Sequence, residues 1–284
     1  MTNSSFVVRP LSEEKGLKLA LNYSAPAAEL VRQGQIAIDL YKCPDWPDVV
    51  AAARAEHPVY VHFDLWAGAG RLDAIDWKRV EDFLDQTGTR FVNLHLAPRE
   101  TDFEPGHPLD VEVVIERVFH DVISAVKRFG PERVIVENAP HLYPGGVIPR
   151  PAVDPDVISR LVREIGCGFL LDLSHARIAA RQLGLDEREY VARMPVDHLR
   201  ELHITGLDHD GQYWRDHMPL TDEDWTEAEW ALALIHAGQW AEPAIVALEY
   251  GGISSAFAWR SDPAVMAAQA PRLLALVNGN GRVR

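Results

Sequence analysis

Eight residues of types that bind divalent metals recur through the chain, most of them at the ends of short apolar runs. They are His62, His95, Glu137, Asp172, His175, His203, His217 and Glu249. Imidazole and carboxylate groups together suit zinc, iron or manganese, and no cysteine thiolate is placed to join them. One such residue alone is more often structural, and a lone carboxylate could simply cap the following helix. Six at equivalent positions on six strands would bury several carboxylates with nothing to neutralise them, so the sequence predicts a metal cluster.

The stretch Gly166–Gly206 indicates how these residues are positioned. An apolar run, Phe169–Leu171, ends on Asp172, and His175 follows three residues later. A helix-like segment then leads to a second short run, which carries His203. Both runs read as strands with a metal-ligand residue type at the carboxyl end. In parallel α/β sheets those ends are where ligands bind.

The same alternation of strand and helix patterns occurs eight times along the chain. The predicted strands are Leu17–Asn22, Ile36–Tyr41, Val59–Asp64, Phe91–Leu96, Val134–Asn138, Phe169–Leu173, Leu199–Thr205 and Ile245–Tyr250. The predicted helices are Ala25–Arg32, Trp46–Ala55, Asp76–Gln86, Val111–Phe129, Asp156–Ile165, Ala176–Ala192, Asp222–His236 and Pro263–Val277. Eight such units without a break in composition predict one (β/α)8 TIM barrel over residues 1–284, with an N-terminal extension of about residues 1–15.

Side-chain alternation along the predicted strands supports the barrel. In strand four, for example, Val92, Leu94 and Leu96 lie on one face, and Asn93 and His95 lie on the other. The apolar faces must meet the helices, so the polar faces point into the barrel. A packed interior cannot hold so many polar groups near its middle without partners, so they should gather at the carboxyl-terminal end and share a ligand.

Glu201 lies two residues before His203, on the same face and deeper in the predicted barrel. The sequence supports two interpretations of Glu201 equally well. The carboxylate could accept a hydrogen bond from a ligand imidazole, or it could form a core ion pair with Lys18.

Charge and composition restrict the class of protein. The formal net charge is −14, and a phosphate-backbone partner needs a basic surface, so we expect no nucleic-acid partner. Cys43 and Cys167 are too few for a disulfide framework and are expected to be small core residues, with a reactive role for Cys43 as the less favoured alternative. No apolar run is long enough to span a membrane, and Met1–Gly16 does not resemble a secretory signal. A cytoplasmic enzyme is therefore expected.

The order of the candidate ligands resembles that of the xylose-isomerase-like barrel superfamily, which includes sugar isomerases, ketose 3-epimerases and apurinic endonucleases. Within it, three stretches resemble the multinuclear non-haem iron-dependent oxidases, long catalogued as a domain of unknown function. They are Val136–Asn138 (VEN), Gly166–His175 (GCGFLLDLSH) and Glu201–Gly206 (ELHITG). The spacing from Gly184 through Tyr190 to Pro195 is also similar to that family.

That resemblance implies two or three divalent ions, with iron favoured and zinc or manganese as alternatives. Glu137 would bridge two ions; His62 and His95 would hold the first, Asp172, His203 and Glu249 the second, and His175 and His217 a third. The family has Asp-x-His at the third site, whereas this chain reads Arg215-Asp216-His217. Because a guanidinium cannot ligate a cation, we expect two firmly held ions and a third that is weak or absent. Asp208, Asp210 or Asp216 could substitute for the missing carboxylate.

The resemblance further implies an oxidase that uses O2 to attack a C–H bond of a peptide side chain, often beside a cysteine sulfur. The peptide would be small, and a partner protein could deliver it. The predicted catalytic residues are Glu137, Glu249 and His175, and the residues predicted to line the substrate pocket are Trp66, Tyr143, Trp214 and Arg215.

Three other functions stay open on the sequence. A divalent-metal-dependent sugar isomerase or epimerase would place Glu137 and Glu249 on either side of one ion. A hydrolase resembling apurinic endonucleases would share the ligands but needs a basic groove, which the acidic charge disfavours. A non-enzymatic metal-binding protein would ring its ions wholly with protein ligands and leave no open position.

Overall fold

Eight parallel strands form one sheet in this computed structural model, which describes residues 16–104, 109–143, 146–253 and 255–280. The strands are β1 (Lys18–Asn22), β2 (Leu40–Pro44), β3 (Val59–His62), β4 (Val92–His95), β5 (Val134–Glu137), β6 (Gly168–Asp172), β7 (Leu199–Ile204) and β8 (Ile245–Leu248). They are hydrogen-bonded in the order β3-β2-β1-β8-β7-β6-β5-β4. The predicted N-terminal extension lies outside the described residues.

Helices follow the strands and cover the outside of the sheet. They are α1 (Ala25–Arg32), α2 (Pro47–Arg54), α3 (Trp77–Thr87), α4 (Val111–Phe129), α5 (Arg150–Val153), α6 (Pro155–Ile165), α7 (Leu173–Leu183), α8 (Glu187–Ala192), α9 (Asp222–His236) and α10 (Pro263–Val277). Most begin at a side chain that accepts a hydrogen bond from the first turn, as Ser24, Asp110 and Thr221 do. Across the described chain, we find no helix whose length and apolar character would let it cross a membrane.

The two ends of the sheet order, β3 and β4, meet through side-chain and loop contacts rather than a regular ladder. The side-chain amide of Asn93 accepts from the backbone N–H of Phe63 at 2.7 Å and donates to the carbonyl of the same residue at 3.0 Å. Just beyond, the N–H of His95 donates to the carbonyl of Leu65 at 2.8 Å. These bonds close the barrel and satisfy backbone groups that would otherwise be buried without partners.

The predicted alternation of faces agrees with two separate sets of apolar contacts. Side chains such as Leu94 and Phe169 belong to the main core between the sheet and the helices. A smaller cluster inside the barrel contains Ala20, Leu40 and Tyr60 together with residues of β8. The polar members of the inward faces, which include the candidate ligands, follow these residues toward the carboxyl ends of the strands.

The sequence prediction was wrong for the second strand and for one helix. The apolar alternation of Ile36 and Ile38 fills the core, but the strand begins only at Leu40 because that residue pairs with Ala20 of β1. The predicted helix Ala176–Ala192 is two helices, α7 and α8. Gly184 ends α7 in the left-handed conformation, with φ 68°, and the side chain of the next N-cap residue starts α8.

Candidate metal centre

The ligand residues predicted from the sequence meet at the carboxyl ends of the strands. In four overlapping groups the ligand atoms lie within 4.8 Å of one another: His62–His95–Glu137, His62–Glu201–His203, Glu137–Asp172–His175 and Asp172–His203–Glu249. These residues come from the five strands β3 to β7, except that Glu249 directly follows β8 and His175 lies in the first turn of α7. Histidine and carboxylate groups at this spacing could share one or more divalent cations.

Glu137 lies between two pairs of histidines. Its Oε2 atom is 3.3 Å from His62 Nε2 and 3.2 Å from His95 Nε2. Its Oε1 atom is 3.8 Å from the Nδ1 atoms of both His175 and His203. Oε2 therefore faces His62 and His95 while Oε1 faces His203, as expected of a carboxylate that bridges two cations. The Nδ1 atom of His175 also lies 3.0 Å from the carbonyl of Asn138 and can donate to it.

Asp172 can cap a helix and still offer a ligand atom. Its Oδ1 accepts from the N–H of His175 at 2.7 Å, which starts α7, while Oδ2 points toward His203 Nδ1 at 3.9 Å. The side chain of Asn138 fixes the backbone of Asp172 through two bonds of 2.9 Å. The two roles weighed for Asp172 on the sequence, cap and ligand, are thus compatible.

Three polar atoms in this centre are buried and have no hydrogen-bond partner among the described residues. They are Glu137 Oε2, Asp172 Oδ2 and His203 Nδ1. A buried polar atom without a partner costs on the order of 1–3 kcal/mol, and more if it is charged. All three atoms are of the kind that coordinates divalent metals, so the residues present fit a bound metal cluster.

The centre contains more buried carboxylates than buried cationic side chains. Four carboxylates in the barrel are buried: Glu137, Asp172, Glu201 and Glu249. The one lysine buried with them, among the residues that the structure describes, is Lys42 at 7% exposure. Burial raises the pKa of Asp172 to about 6 and that of Glu201 to about 7, which shows how poorly the metal-free interior accepts their negative charge.

Two of the histidines, His62 and His203, are held in the neutral form that binds metal. Burial, reinforced by the charge of Lys42, lowers the pKa of both His62 and His203 well below the ordinary value. His175 differs. Burial lowers its pKa, but the carboxylates of Asp172, Asp216 and Glu137 outweigh this and raise it to about 10. Metal binding at His175 would therefore release a proton.

Glu201 orients His203. Its Oε1 atom accepts from the Tyr60 hydroxyl at 2.7 Å and lies 2.7 Å from His203 Nε2. A proton on Nε2 would donate to this carboxylate and leave Nδ1 facing Asp172 and Glu249. The contacts support the first of the two interpretations of Glu201.

Lys42 is a member of the centre that the sequence analysis missed. Its Nζ atom contacts Glu249 Oε1, the oxygen that also lies 3.2 Å from His203 Nδ1. The predicted second strand stopped at Tyr41, one residue short of this lysine. The sequence feature that could have identified Lys42 is its charge at a position two residues after Leu40, on the strand face that points into the barrel.

The third group of candidate ligands is completed by Asp216. Its Oδ2 atom is 2.9 Å from His175 Nε2 and 3.6 Å from His217 Nε2. Arg215 is exposed and pairs with Asp210, so among the substitutes considered on the sequence the structure places Asp216 beside His175. Neighbouring residues of an extended chain point to opposite sides, but His217 has a positive φ of 57°. The chain turns there, and the Asp216 carboxylate lies between His175 and His217.

We expect Asp216→Asn to bind about one ion fewer per chain than the wild type, because a neutral amide replaces the anionic ligand beside His175. Metal per chain, measured by elemental analysis after loading and desalting, tests this. Arg215→Gln, one residue away and facing solvent, is the matched control and should keep the wild-type content. Equal metal content in Asp216→Asn and the wild type would contradict the assignment.

A cavity of about 330 Å³ opens above the centre. It reaches His62, His95, Glu137, His175, His217 and Glu249, and its wall includes Tyr23, Trp46, Phe257 and Arg260. This volume is near the lower end of the roughly 300–1,000 Å³ typical of ligand pockets. Because the cavity is lined by both ligand and non-ligand residues, a bound metal would be accessible from it.

Three of the four residues predicted to line the substrate pocket are not part of the lining of this cavity. Trp66 packs beside His95 with ring centroids 6.0 Å apart, and the guanidinium of Arg181 stacks on Trp214 at 4.3 Å. Neither tryptophan, nor Arg215, belongs to the lining of the cavity. The side chain of Tyr143 lies outside the described residues. Sequence reasoning missed Tyr23, Trp46, Phe257 and Arg260 because the loops that carry them have no periodic pattern.

The fold is similar to solved barrels of several activities. D-psicose 3-epimerase aligns with a TM-score of 0.57 at 13% identity over 93% of this chain and all of that chain. The 3-keto-D-glucoside 4-epimerase from E. coli gives 0.54 at 14% identity over 93% and 99%. An AP endonuclease of family 2 from Brucella melitensis gives 0.51 at 15% identity over 86% and 97%. At these identities the likeness shows the fold alone, and it confirms the predicted (β/α)8 TIM barrel.

Comparisons of the amino-acid sequence identify the family of this protein. A UPF0276 protein from Rhizorhabdus wittichii is 26% identical over 56% of this chain and 58% of its own length. Another from Acaryochloris marina is 25% identical over 63% and 67%. The chain thus spans about three fifths to two thirds of these curated relatives. The profile of the family described as "RiPP precursor modification enzyme MbnB/TglH/ChrH" matches residues 41–242, which is more than half of the chain. The protein therefore belongs to this family of RiPP precursor modification enzymes, as its three resembling stretches predicted.

Proposed function

We propose that this protein is an iron-dependent oxidase that uses O2 to modify a side chain of a small precursor peptide. The observation that carries the proposal is the position of Glu137, whose two oxygens face two different pairs of histidines. Its family, whose members are described as modifying RiPP precursors, supports a peptide as the substrate. A single-metal isomerase would need no carboxylate shared in this way.

In this proposal His62, His95 and Glu137 hold one ion, and Glu137, Asp172, His203 and Glu249 hold a second. His175, Asp216 and His217 are the candidate ligands of a third. Bound iron would supply the one-electron chemistry toward O2 that no amino-acid side chain provides. Two adjacent ions would offset the buried carboxylates, which Lys42 alone does not balance.

The chain's own residues have three tasks around this centre. Glu201 and Asn138 fix the orientation of His203 and Asp172, so each presents one atom to the metal. Lys42 holds one oxygen of Glu249. The cavity wall keeps the substrate side chain close to the ligands and limits the access of water.

A second candidate is a sugar epimerase. Glu137 Oε1 and Glu249 Oε1 both face His203 Nδ1, at 3.8 and 3.2 Å, so two carboxylates flank the position of one ion. In that chemistry one carboxylate removes a proton beside a metal-polarised carbonyl, and the other returns it. Such a reaction needs no O2, and this requirement separates the two candidates.

We expect the iron-loaded protein to consume O2 when it is mixed with a short cysteine-bearing peptide. The measurement is oxygen uptake together with the mass change of the peptide. Zinc-loaded wild type is the matched control, because zinc occupies the same ligands but does not change its oxidation state. Turnover of a ketose under strictly anaerobic conditions, without oxygen uptake on the peptide, would reject the oxidase and favour the epimerase.

A further inference from the structure

Arg260 lies at the mouth of the cavity and has no role in the metal centre described above. It ends the short 3₁₀ helix Ser255–Arg260 that follows β8, and it lines the same cavity as His217 and Glu249. Its guanidinium stacks on the ring of Phe257 at 4.3 Å. Stacking of this kind fixes the plane of the guanidinium while its edges stay available for hydrogen bonds.

The Nε atom of Arg260 is buried and has no hydrogen-bond partner among the described residues. Two arginines outside the cavity lining do have carboxylate partners. Arg79 lies 3.6 Å from Asp45, and Arg215 pairs with Asp210. Among the described side chains, no carboxylate lies within ion-pair distance of Arg260. The cation is therefore held beside the cavity by packing against Phe257, and its Nε–H lacks an acceptor among the described residues.

The backbone is shaped around this arginine. A Cβ atom added to Gly252 would lie 2.9 Å from Arg260 Nε and 2.5 Å from Phe257 Cβ. Contacts this short are forbidden, so the close approach of the loop to both side chains depends on glycine at this position. The arrangement places the guanidinium between an aromatic ring and the backbone, which leaves the cavity as the direction of approach for a ligand.

We propose that Arg260 is a substrate-binding residue that holds a carboxylate of the peptide and so places the neighbouring side chain over the metal centre. The peptide nature of the substrate rests on the proposed function. A planar guanidinium matches a carboxylate through two parallel hydrogen bonds, and such charge-assisted pairs are strong in a partly enclosed site. Apolar contacts beside it come from Tyr23, Trp46 and Phe257, which line the same cavity.

A matched pair of probes tests the proposal without turnover. N-acetyl-L-alanine and its methylamide differ only in the carboxylate, and neither contains a thiol. Calorimetric titration of the full zinc-loaded chain at low salt should show about tenfold tighter binding of the acid, the factor expected for one charge-assisted pair. Arg260→Gln should abolish this preference, and Arg260→Lys should retain only part of it, because lysine keeps the charge but loses the planar fork.

Arg272→Gln is the matched control. Arg272 also stacks on an aromatic ring, Trp225 at 4.1 Å, but it lies on α10 and does not line the cavity. This variant should keep the wild-type preference for the acid, and all variants should keep the wild-type zinc content and unfolding temperature.

Three results would overturn the proposal. They are equal binding of the two probes to the wild type, undetectable binding of both, and a preference for the acid that persists in Arg260→Gln. The last would mean that the carboxylate binds the metal directly. Because the probes need no O2 and undergo no reaction, their result is separate from the oxygen-uptake experiment, and either proposal can fail while the other holds.

Discussion

Replacing Glu137 by glutamine is expected to remove most of the bound metal and all metal-dependent activity. The carboxylate lies between the pair His62 and His95 and the pair His175 and His203, so its loss affects both proposed ion positions. A neutral amide cannot offset two cations. Loss of an outer-shell group typically weakens metal binding about 10–100-fold, and loss of a bridging ligand should exceed that. Elemental analysis of the purified variant measures the effect.

Two controls keep this result interpretable. Glu164→Gln changes an exposed carboxylate of α6 and should leave metal content and activity unchanged. The metal-free Glu137→Gln protein should unfold at a denaturant concentration no lower than the metal-free wild type, because the substitution removes a buried negative charge. A wild-type metal content in Glu137→Gln would exclude the shared cluster.

We expect Arg177→Met to lower the free energy of unfolding by about 3–5 kcal/mol. This is the usual cost of removing one partner of a buried ion pair. The guanidinium, 3% exposed, joins α7 to α8 and α9. It contacts Glu187 at 2.6 Å, Asp224 at 2.5 Å and Glu223 at 3.0 Å. Asp224 is itself buried, so it would lose its cation without gaining water. Urea unfolding of the metal-free protein measures the change.

Arg188→Met is the control for this prediction. Arg188 of α8 also forms an ion pair with α9, to Glu227 at 2.9 Å, but the Arg188 side chain is 44% exposed. Exposed pairs contribute about 1 kcal/mol or less, so this variant should unfold close to the wild type. If both variants lose the same stability, burial of the Arg177 pair is not the cause. Because α7 also carries His175, Arg177→Met should in addition weaken metal binding at the third group.

The barrel and most residues of the candidate metal centre could be predicted from the amino-acid sequence. Strand periodicity separates inward from outward residues, and the carboxyl ends of parallel strands meet at one end of the barrel. His95, Glu137 and Asp172 could therefore be placed together although they are far apart in the chain. The contact between β3 and β4 through Asn93 could not be predicted, since it depends on the closure of the whole sheet.

The start of one strand and the conformations of the loops could not be predicted, because they depend on contacts between distant parts of the chain. Lys42 joins the centre because β2 starts at Leu40, and this start is set by pairing with β1 rather than by the apolar pattern around Ile36. Asp216 rather than Arg215 lies beside His175 because the chain turns at His217, and no repeating pattern in the sequence predicts this turn. Arg260 faces the cavity because a glycine brings the loop close to it. Repeating backbone hydrogen bonds give strands and helices a readable period, whereas a loop's conformation is fixed by contacts with distant residues that the local sequence does not contain.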